Sequence, residues 1–198
     1  MFIAKSLDEL IADLNQPNPI IQLSAQKQLI RLGHTVIDTL LDTLYTGSDA
    51  QRAHAAIVLG KLRDRRALDA LLELRHHDNL LIRIDCAKAL GVIRGAHTAA
   101  ALIDWLAVEE NVLVQTAIVQ VLAETRLPQI YIPLVKALTH TPSPSLKYLI
   151  IRILGDLGDT HAAEVIFPYV DSTDHHIRRE AIRALEKLSP NTENKREL

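Results

Sequence analysis

Cysteine is almost missing from this 198-residue chain: Cys86 is the single thiol. No internal disulfide can form, and a reducing, intracellular setting is the expectation. Aromatic residues are scarce too, at 4%, so the core is not organised around large rings. Leu, Ile, Ala and Val carry most of the 48% hydrophobic content, a filling suited to small, closely packed helices. Seven glycines and eight prolines are too few for long disordered stretches. A basic excess is also lacking. The net charge of -2 and pI of about 6.5 argue against a nucleic-acid partner. No uncharged apolar run approaches the roughly 18 residues a membrane span needs. Met1-Phe2-Ile3-Ala4-Lys5 lacks the apolar core of a signal peptide. A cytoplasmic protein without a membrane partner is therefore expected. The final Lys195-Arg196-Glu197-Leu198 is faintly similar to an ER-retention tail, a reading without support when no signal peptide precedes it.

What is present is a repeat. Gln22, Arg52, Arg83, Gln115, Lys147 and Arg178 form one column, with spacings of 30, 31, 32, 32 and 31. Three residues later stand Ala25, Ala55, Cys86, Ile118, Ile150 and Ala181. Seven later stand Leu29, Leu59, Leu90, Leu122, Leu154 and Leu185, and ten later Leu32, Leu62, Ile93, Thr125, Leu157 and Leu188. Offsets of three, seven and ten trace one face of an α-helix. Four residues before the column stand Asn18, Ser48, Asn79, Asn111, Ser143 and Asp174. All six are N-cap types, whose side-chain oxygens accept from the unpaired N–H groups of a first turn. Pro19 and Pro144 follow two of them, at the first helical position, where a missing N–H costs nothing. Each repeat thus contains a helix of about 14 residues starting at its cap.

A second set of stripes precedes these helices: Leu7, Leu10, Ile11 and Leu14; Ile37, Leu40, Leu41 and Leu44; Leu68, Leu71 and Leu72; Ala99, Leu102, Ile103 and Leu106; Tyr131, Leu134, Val135 and Leu138; Ala163, Ile166, Phe167 and Val170. Their i, i+3, i+4, i+7 spacing predicts a first helix in every repeat. Pro133 and Pro168 fall within two of them and are expected to bend them. Gly60, Gly91 and Gly155 share a column inside the second helices. Glycine there costs about 0.5–1 kcal/mol against alanine, so a recurring glycine predicts close helix approach. The chain reads as all-α: one right-handed superhelical domain of about six hairpins over residues 1–190, with units near 5–33, 34–63, 64–94, 95–126, 127–158 and 159–189. A frayed, disordered tail is expected at 191–198.

Segments such as Arg52-Ala53-His54-Ala55-Ala56-Ile57-Val58-Leu59-Gly60-Lys61-Leu62 and Ile82-Arg83-Ile84-Asp85-Cys86-Ala87-Lys88-Ala89-Leu90-Gly91 resemble bacterial HEAT repeats of the phycobilisome-lyase type. The resemblance covers residues 5–189, and the length is similar to that of the F-type lyase subunit. It implies an armadillo-like α-solenoid whose second helices line a concave surface. It also implies two activities to weigh. One is a non-catalytic scaffold or adaptor for a partner protein in phycobiliprotein chromophore handling, including chromophore removal or phycobilisome disassembly. The other is a subunit of a heterodimeric lyase that attaches phycocyanobilin to a phycobiliprotein cysteine. The partner would then be a second HEAT-repeat subunit or a phycobiliprotein. Phycocyanobilin would be a transient ligand, with no resident cofactor.

No phosphate loop, Cys/His zinc pattern or G-x-S-x-G elbow occurs, and no catalytic or metal-binding residues are assigned. The deoxyhypusine hydroxylases resemble this repeat type and bind iron through His-Glu dipeptides, of which this sequence has none. HEAT-like DNA glycosylases use aromatics in a basic groove; the charge here is wrong, and Trp105 lies in a first helix. Cys86 reads either as a nucleophile or bilin site, or as a small core residue in a column of Ala and Ile. The pairs His76-His77 and His175-His176 should point apart, as neighbours do, and read as solvated turn residues. For Arg52, Arg83, Lys147 and Arg178 the preferred reading, which the resemblance implies, is a ladder to acids at neighbouring turns such as Asp49, Asp64, Asp78 and Asp159; a binding groove is the other. The exposed second-helix positions form the candidate binding face: His54, Lys61, Asp85, Lys88, Gln120, Lys147, Arg152 and Arg183. Arg179 joins Arg183 one turn away to make a basic end that could grip an acidic partner or a propionate. Mixed charge along such a face suits protein recognition.

Overall fold

The computed structural model describes residues 5–189. Residues 1–4 and 190–198, including the tail expected to fray, lie outside the described residues. Every regular element among the described residues is helical. They fall into two compact units that divide after Thr125, at the boundary between two expected hairpins. The first unit holds α1 (Leu7–Asp13), α2 (Pro19–Leu32), α3 (Ile37–Thr46), α4 (Asp49–Leu62), α5 (Ala67–Glu73), α6 (Leu80–Ile93), α7 (Ala96–Val108) and α8 (Val112–Thr125). The second holds α9 (Tyr131–His140), α10 (Pro144–Leu157), α11 (Ala162–Ile166) and α12 (His175–Leu188).

The even-numbered helices are the expected second helices, and each has 14 residues. The caps do what their chemistry predicts. The side-chain oxygen of Asn18 accepts from the Ile20 N–H at 2.9 Å, that of Asn79 from Leu81 at 2.9 Å, and that of Asn111 from Leu113 at 3.0 Å. Ser48 and Ser143 reach the third helical N–H instead, on Gln51 and Leu146. Asp174 accepts from His176 and Ile177, and these N–H groups hold its carboxyl below the usual carboxylate range.

Behind the caps the apolar columns go inward. Ala25, Ala55, Cys86, Ile118, Ile150 and Ala181 are fully buried, as are Leu29, Leu59, Leu90, Leu122 and Leu154. Each such leucine contributes about 1.5–3 kcal/mol of apolar burial. Burial is less complete in the end repeats: Leu185 of this column is half-buried, and Leu32, three residues after Leu29, is 47% exposed. The glycines mark where second helices meet. A Cβ on Gly60 would stand 2.7 Å from Ala89 Cα, one on Gly91 2.4 Å from a Val121 methyl, and one on Gly155 2.7 Å from Ala184 Cβ. α4 therefore lies against α6, α6 against α8 and α10 against α12, at distances that leave no room for a methyl group.

Three expectations about the first helices need correction. Pro133 is the third residue of α9, preceded by a 3-10 turn over Pro128–Ile130, so it sits where its missing N–H is not needed, and the helix runs unbroken to His140. Pro168 does act as a breaker: α11 ends at Ile166 and the chain continues as a 3-10 turn over Phe167–Asp171. That turn carries Phe167 out of the stripe, leaving it 65% exposed.

Candidate functional site

The arginine column is not the inter-repeat ladder that the resemblance implied. Arg52 donates from Nε to the Gly47 carbonyl at 2.8 Å and from Nη2 to that of Tyr45 at 2.8 Å. Arg83 donates to the His77 carbonyl at 2.7 Å, and Arg178 to that of Ser172 at 2.7 Å. Gln22 and Gln115 make the same bond with an amide, to the Gln16 and Glu109 carbonyls. The shared role is to satisfy main-chain acceptors left over at the turn inside one hairpin. Neutral glutamine substitutes for arginine because the acceptors are carbonyls.

Other residues bridge one repeat to the next. Asn79 donates to Asp49 at 2.8 Å, Arg66 to Asp38 at 3.0 Å, and Ser48 to Asn15 at 2.7 Å; His34 Nδ1 lies 3.1 Å from Asp64. Arg66 also hydrogen-bonds Asp64 directly and, with His34, holds that carboxyl well below the usual range. Arg83 alone of its column joins this set, through Glu109.

Glu109 is a keystone that sequence reasoning missed. Its side chain is 7% exposed. It accepts from Trp105 Nε1 at 3.0 Å, from the Asn111 N–H at 2.9 Å and from Arg83 Nη2 at 3.3 Å, with Arg83 Nε also at 3.3 Å. These contacts line an open cleft with Arg75, His76 and Asp78. The signal was present as a carboxylate four residues after the only tryptophan, but nothing in the spacing indicated its burial. Trp105 is 1% exposed and is a core residue.

The histidine pairs also differ from expectation. His175 and His176 do not point apart: their ring centroids are 3.8 Å apart. His76 Nε2 lies 2.8 Å from Arg75 Nε, and His77 Nδ1 accepts from the Asn79 N–H at 3.1 Å. Among the described residues no group of three or more His, Cys, Asp or Glu side chains could hold a metal ion. Cys86 is buried, and burial pushes its thiol up to about 12, far from a thiolate at neutral pH. Its surroundings match the core reading.

The candidate face is distributed over both units. In the first, Gln26 Nε2 donates to His54 Nδ1 at 2.9 Å, tying α2 to α4. Burial pushes the His54 imidazole below its ordinary value, opposed by the nearby Asp85 on α6. Burial pushes the Asp85 carboxyl up, opposed by Lys88 and His54. The structure therefore brings His54, Asp85 and Lys88 into one electrostatic neighbourhood. Lys61, at the end of α4, and Gln120, on α8, are exposed.

In the second unit, a cleft of about 660 Å³ opens between α10 and α12, lined by Tyr148, Arg152, Glu180, Arg183, Glu186 and Lys187. The guanidinium of Arg152 lies over the Tyr148 ring, 5.8 Å from its centroid. Lys187 crosses to Asp156 at 2.6 Å. Glu180 is 3% exposed, and its nearest cation is Arg183 Nη1 at 3.8 Å. Of the sequence candidates here, Arg152 and Arg183 meet in the cleft. Lys147, half-buried, and Arg179, exposed, are not part of its lining.

Paired short helices with capped, 14-residue second members define a helical-hairpin repeat protein. The HEAT-repeat family matches residues 7–80, 37–123 and 132–196, and the chain belongs to that family. A phycocyanin operon protein Z from Pseudanabaena tenuis (strain PCC 7409), itself uncharacterised, is 22% identical over 193 residues, spanning 92% of this chain and 95% of that one. A designed armadillo repeat protein in complex with the peptide (KR)4 has the same fold: 16% identity, TM-score 0.59, covering 93% of this chain and all of the other. The complex of CpcE and CpcF of phycocyanin lyase from Nostoc sp. PCC7120 superimposes more loosely, with TM-score 0.42 and 17% identity over 94% of this chain and 96% of that one. No helix among the described residues is long and apolar enough to cross a membrane.

Proposed function

We propose that this chain is a protein-binding scaffold that holds a partner on the exposed side of its second helices, in the handling of phycobiliprotein chromophores. One observation carries the reading. Lys88, Gln120, Arg152 and Arg183 occupy one register position in successive repeats, and all four are exposed on helices whose other sides are buried. Within each unit, second helices that repeat an exposed polar position offer a surface of modest contacts, which suits a protein partner. The relative from a phycocyanin operon supports the phycobiliprotein setting. The resemblance of the repeat segments to HEAT repeats of the phycobilisome-lyase type supports a second reading, a subunit of a heterodimeric lyase joining phycocyanobilin to a phycobiliprotein cysteine. In that case the chain would hold chromophore and acceptor in register.

Size-exclusion chromatography and calorimetry with purified phycocyanin subunits, with and without bilin, test the scaffold. The expected result is a stoichiometric complex with Kd on the order of 1 μM, about -8 kcal/mol. No complex with either form, and none with a second HEAT-repeat subunit, overturns it. Covalent transfer of phycocyanobilin to the phycobiliprotein in the presence of that subunit would establish the lyase reading in its place.

A further inference from the structure

Four consecutive second helices carry an apolar residue at their second position: Ile20 on α2, Ala50 on α4, Leu81 on α6 and Leu113 on α8. Ile20, Leu81 and Leu113 are more than half exposed. The second unit has Ser145 and His176 in that register, so the row belongs to the first unit. Seven or eleven residues further along a helix lies the same face, two or three turns on. There stand Lys27 and Arg31 on α2, Lys61 on α4 and Lys88 on α6, all exposed. Among the described residues none of these four cations makes a hydrogen bond or an ion pair. The acids on the same helices do not offset them. Asp49 accepts from Asn79, Asp85 is half-buried, and Glu124 stands at the far end of α8. In the second unit the cations of this face are engaged: Arg152 lies over Tyr148, Arg183 beside Glu180, and Lys187 on Asp156. The first unit thus presents an exposed apolar row with a basic row of unmatched charge along it.

We propose that this face of the first unit docks an acidic amphipathic α-helix of the partner protein, its apolar stripe on Ile20, Leu81 and Leu113 and its carboxylates toward Lys27, Lys61 and Lys88. This deepens the scaffold reading and rests on it. Charge complementarity selects the sign: cations gathered on one face without counter-charges favour carboxylates and repel a basic segment. Geometry selects the helix. Seven residues separate the two rows by about 10.5 Å, close to the roughly 10–12 Å width of an α-helix with its side chains. A helix laid across the second helices therefore rests its apolar stripe on one row and brings one edge to the other. An extended strand sends alternate side chains to opposite faces, so acids alternating with its apolar residues would point away from the lysines. Because the cations are exposed, salt weakens the attraction.

The test uses the full chain, isotopically labelled, titrated with three Ala-based helical peptides. One has a leucine stripe flanked by Glu, the second the same stripe flanked by Lys, and the third the first composition with its leucines scrambled. The Glu peptide is expected to shift backbone resonances around Ile20, Leu81, Lys88 and Leu113 saturably and to be helical when bound. Its affinity is expected to fall about threefold or more between 50 and 300 mM salt. Reversing two exposed charges together, Lys61→Glu with Lys88→Glu, is expected to weaken it about tenfold. Leu81→Ser, an exposed change that leaves the core intact, is expected to weaken it about fivefold. Equal or tighter binding of the Lys peptide or of the scrambled peptide overturns the proposal, as does the absence of shifts on α2, α4, α6 and α8 with the Glu peptide. The scaffold reading is separable from it. A phycocyanin complex unaffected by these substitutions removes the face from that reading, whereas absence of the complex with peptide binding intact removes the scaffold reading alone.

Discussion

A side-chain methyl on Gly60 would stand 2.7 Å from the Cα of Ala89, in the main chain of the next second helix. Main chain cannot rotate away, so α4 and α6 would have to separate. Gly60→Ala is therefore expected to destabilise the fold by about 1–2 kcal/mol. Overpacking at about 1–3 kcal/mol outweighs the roughly 1 kcal/mol that alanine gains in helix propensity. Urea denaturation checks this; a stabilised variant would show that the helices are not in contact there.

Glu109 gathers donors from Trp105, Arg83 and Asn111 in a site almost closed to water. Glu109→Ala leaves the Arg83 guanidinium half of a buried pair, and breaking such a pair costs about 3–5 kcal/mol. Glu109→Gln, which retains one acceptor, is expected to lose less. Chemical unfolding followed by Trp105 fluorescence measures both, and equal stabilities of the two variants would deny Glu109 its role as a charge partner.

Gly33, Arg63, Arg94, Arg126 and Gly158 occupy one column just past the second helices, and all five have positive φ. Arg94, at φ 55° and ψ 159°, lies in a region suited to glycine alone. Arg94→Gly relieves strain of about 1–3 kcal/mol and gives back about 0.4–1 kcal/mol through the unfolded state, so a net gain of about 1 kcal/mol is expected. A lower thermal midpoint for the variant would contradict it.

His54 sets a pH dependence. Burial keeps its folded value below the ordinary 6.5, so the unfolded chain takes up the proton first. Stability is fully present above pH 6.5 and is lost as pH falls through that value toward the lower folded one. Protonation at Nδ1 would also set a second donor against the Gln26 amide, which now donates to that atom. Asp85 acts in a separate window. Its folded value is raised above 3.8, so its contribution is present below 3.8 and lost as pH rises through the folded value. Between pH 7.5 and 5.5, His54→Gln should flatten the decline in urea midpoint, by less than the ceiling of about 1.4 kcal/mol per pH unit. An unchanged slope would assign the decline to other histidines.

Much of this architecture could be read from the chain before any coordinates. The caps and the buried columns are local features. An Asn or Ser before an apolar stripe satisfies first-turn N–H groups whatever lies beyond, and offsets of three and seven share a helix face by geometry alone. The failures were positional. Pro133 and Pro168 look alike in sequence, yet one falls in a first turn and the other ends a helix, because the start of a first helix depends on how the preceding turn closes. Arg52 and Arg83 read as a ladder because related repeats pair an arginine here with an acid at a neighbouring turn. Their bonds go mainly to carbonyls of their own hairpin, a distinction that charge spacing does not carry.

The sequence by itself determined that short amphipathic helices alternate with a period near 31 residues and that a small residue, Gly60, Gly91, Ala123 or Gly155, recurs inside the four middle second helices. Periodicity and capping act over a few neighbours, so they are written in the chain. Only the tertiary structure decided what those helices bring together: Arg83 and Trp105 on Glu109, His54 beside Asp85, Arg152 and Arg183 beside Glu180. Each of these constellations joins residues from different helices. Whether a carboxylate there is solvated or paired depends on the burial that helix packing imposes.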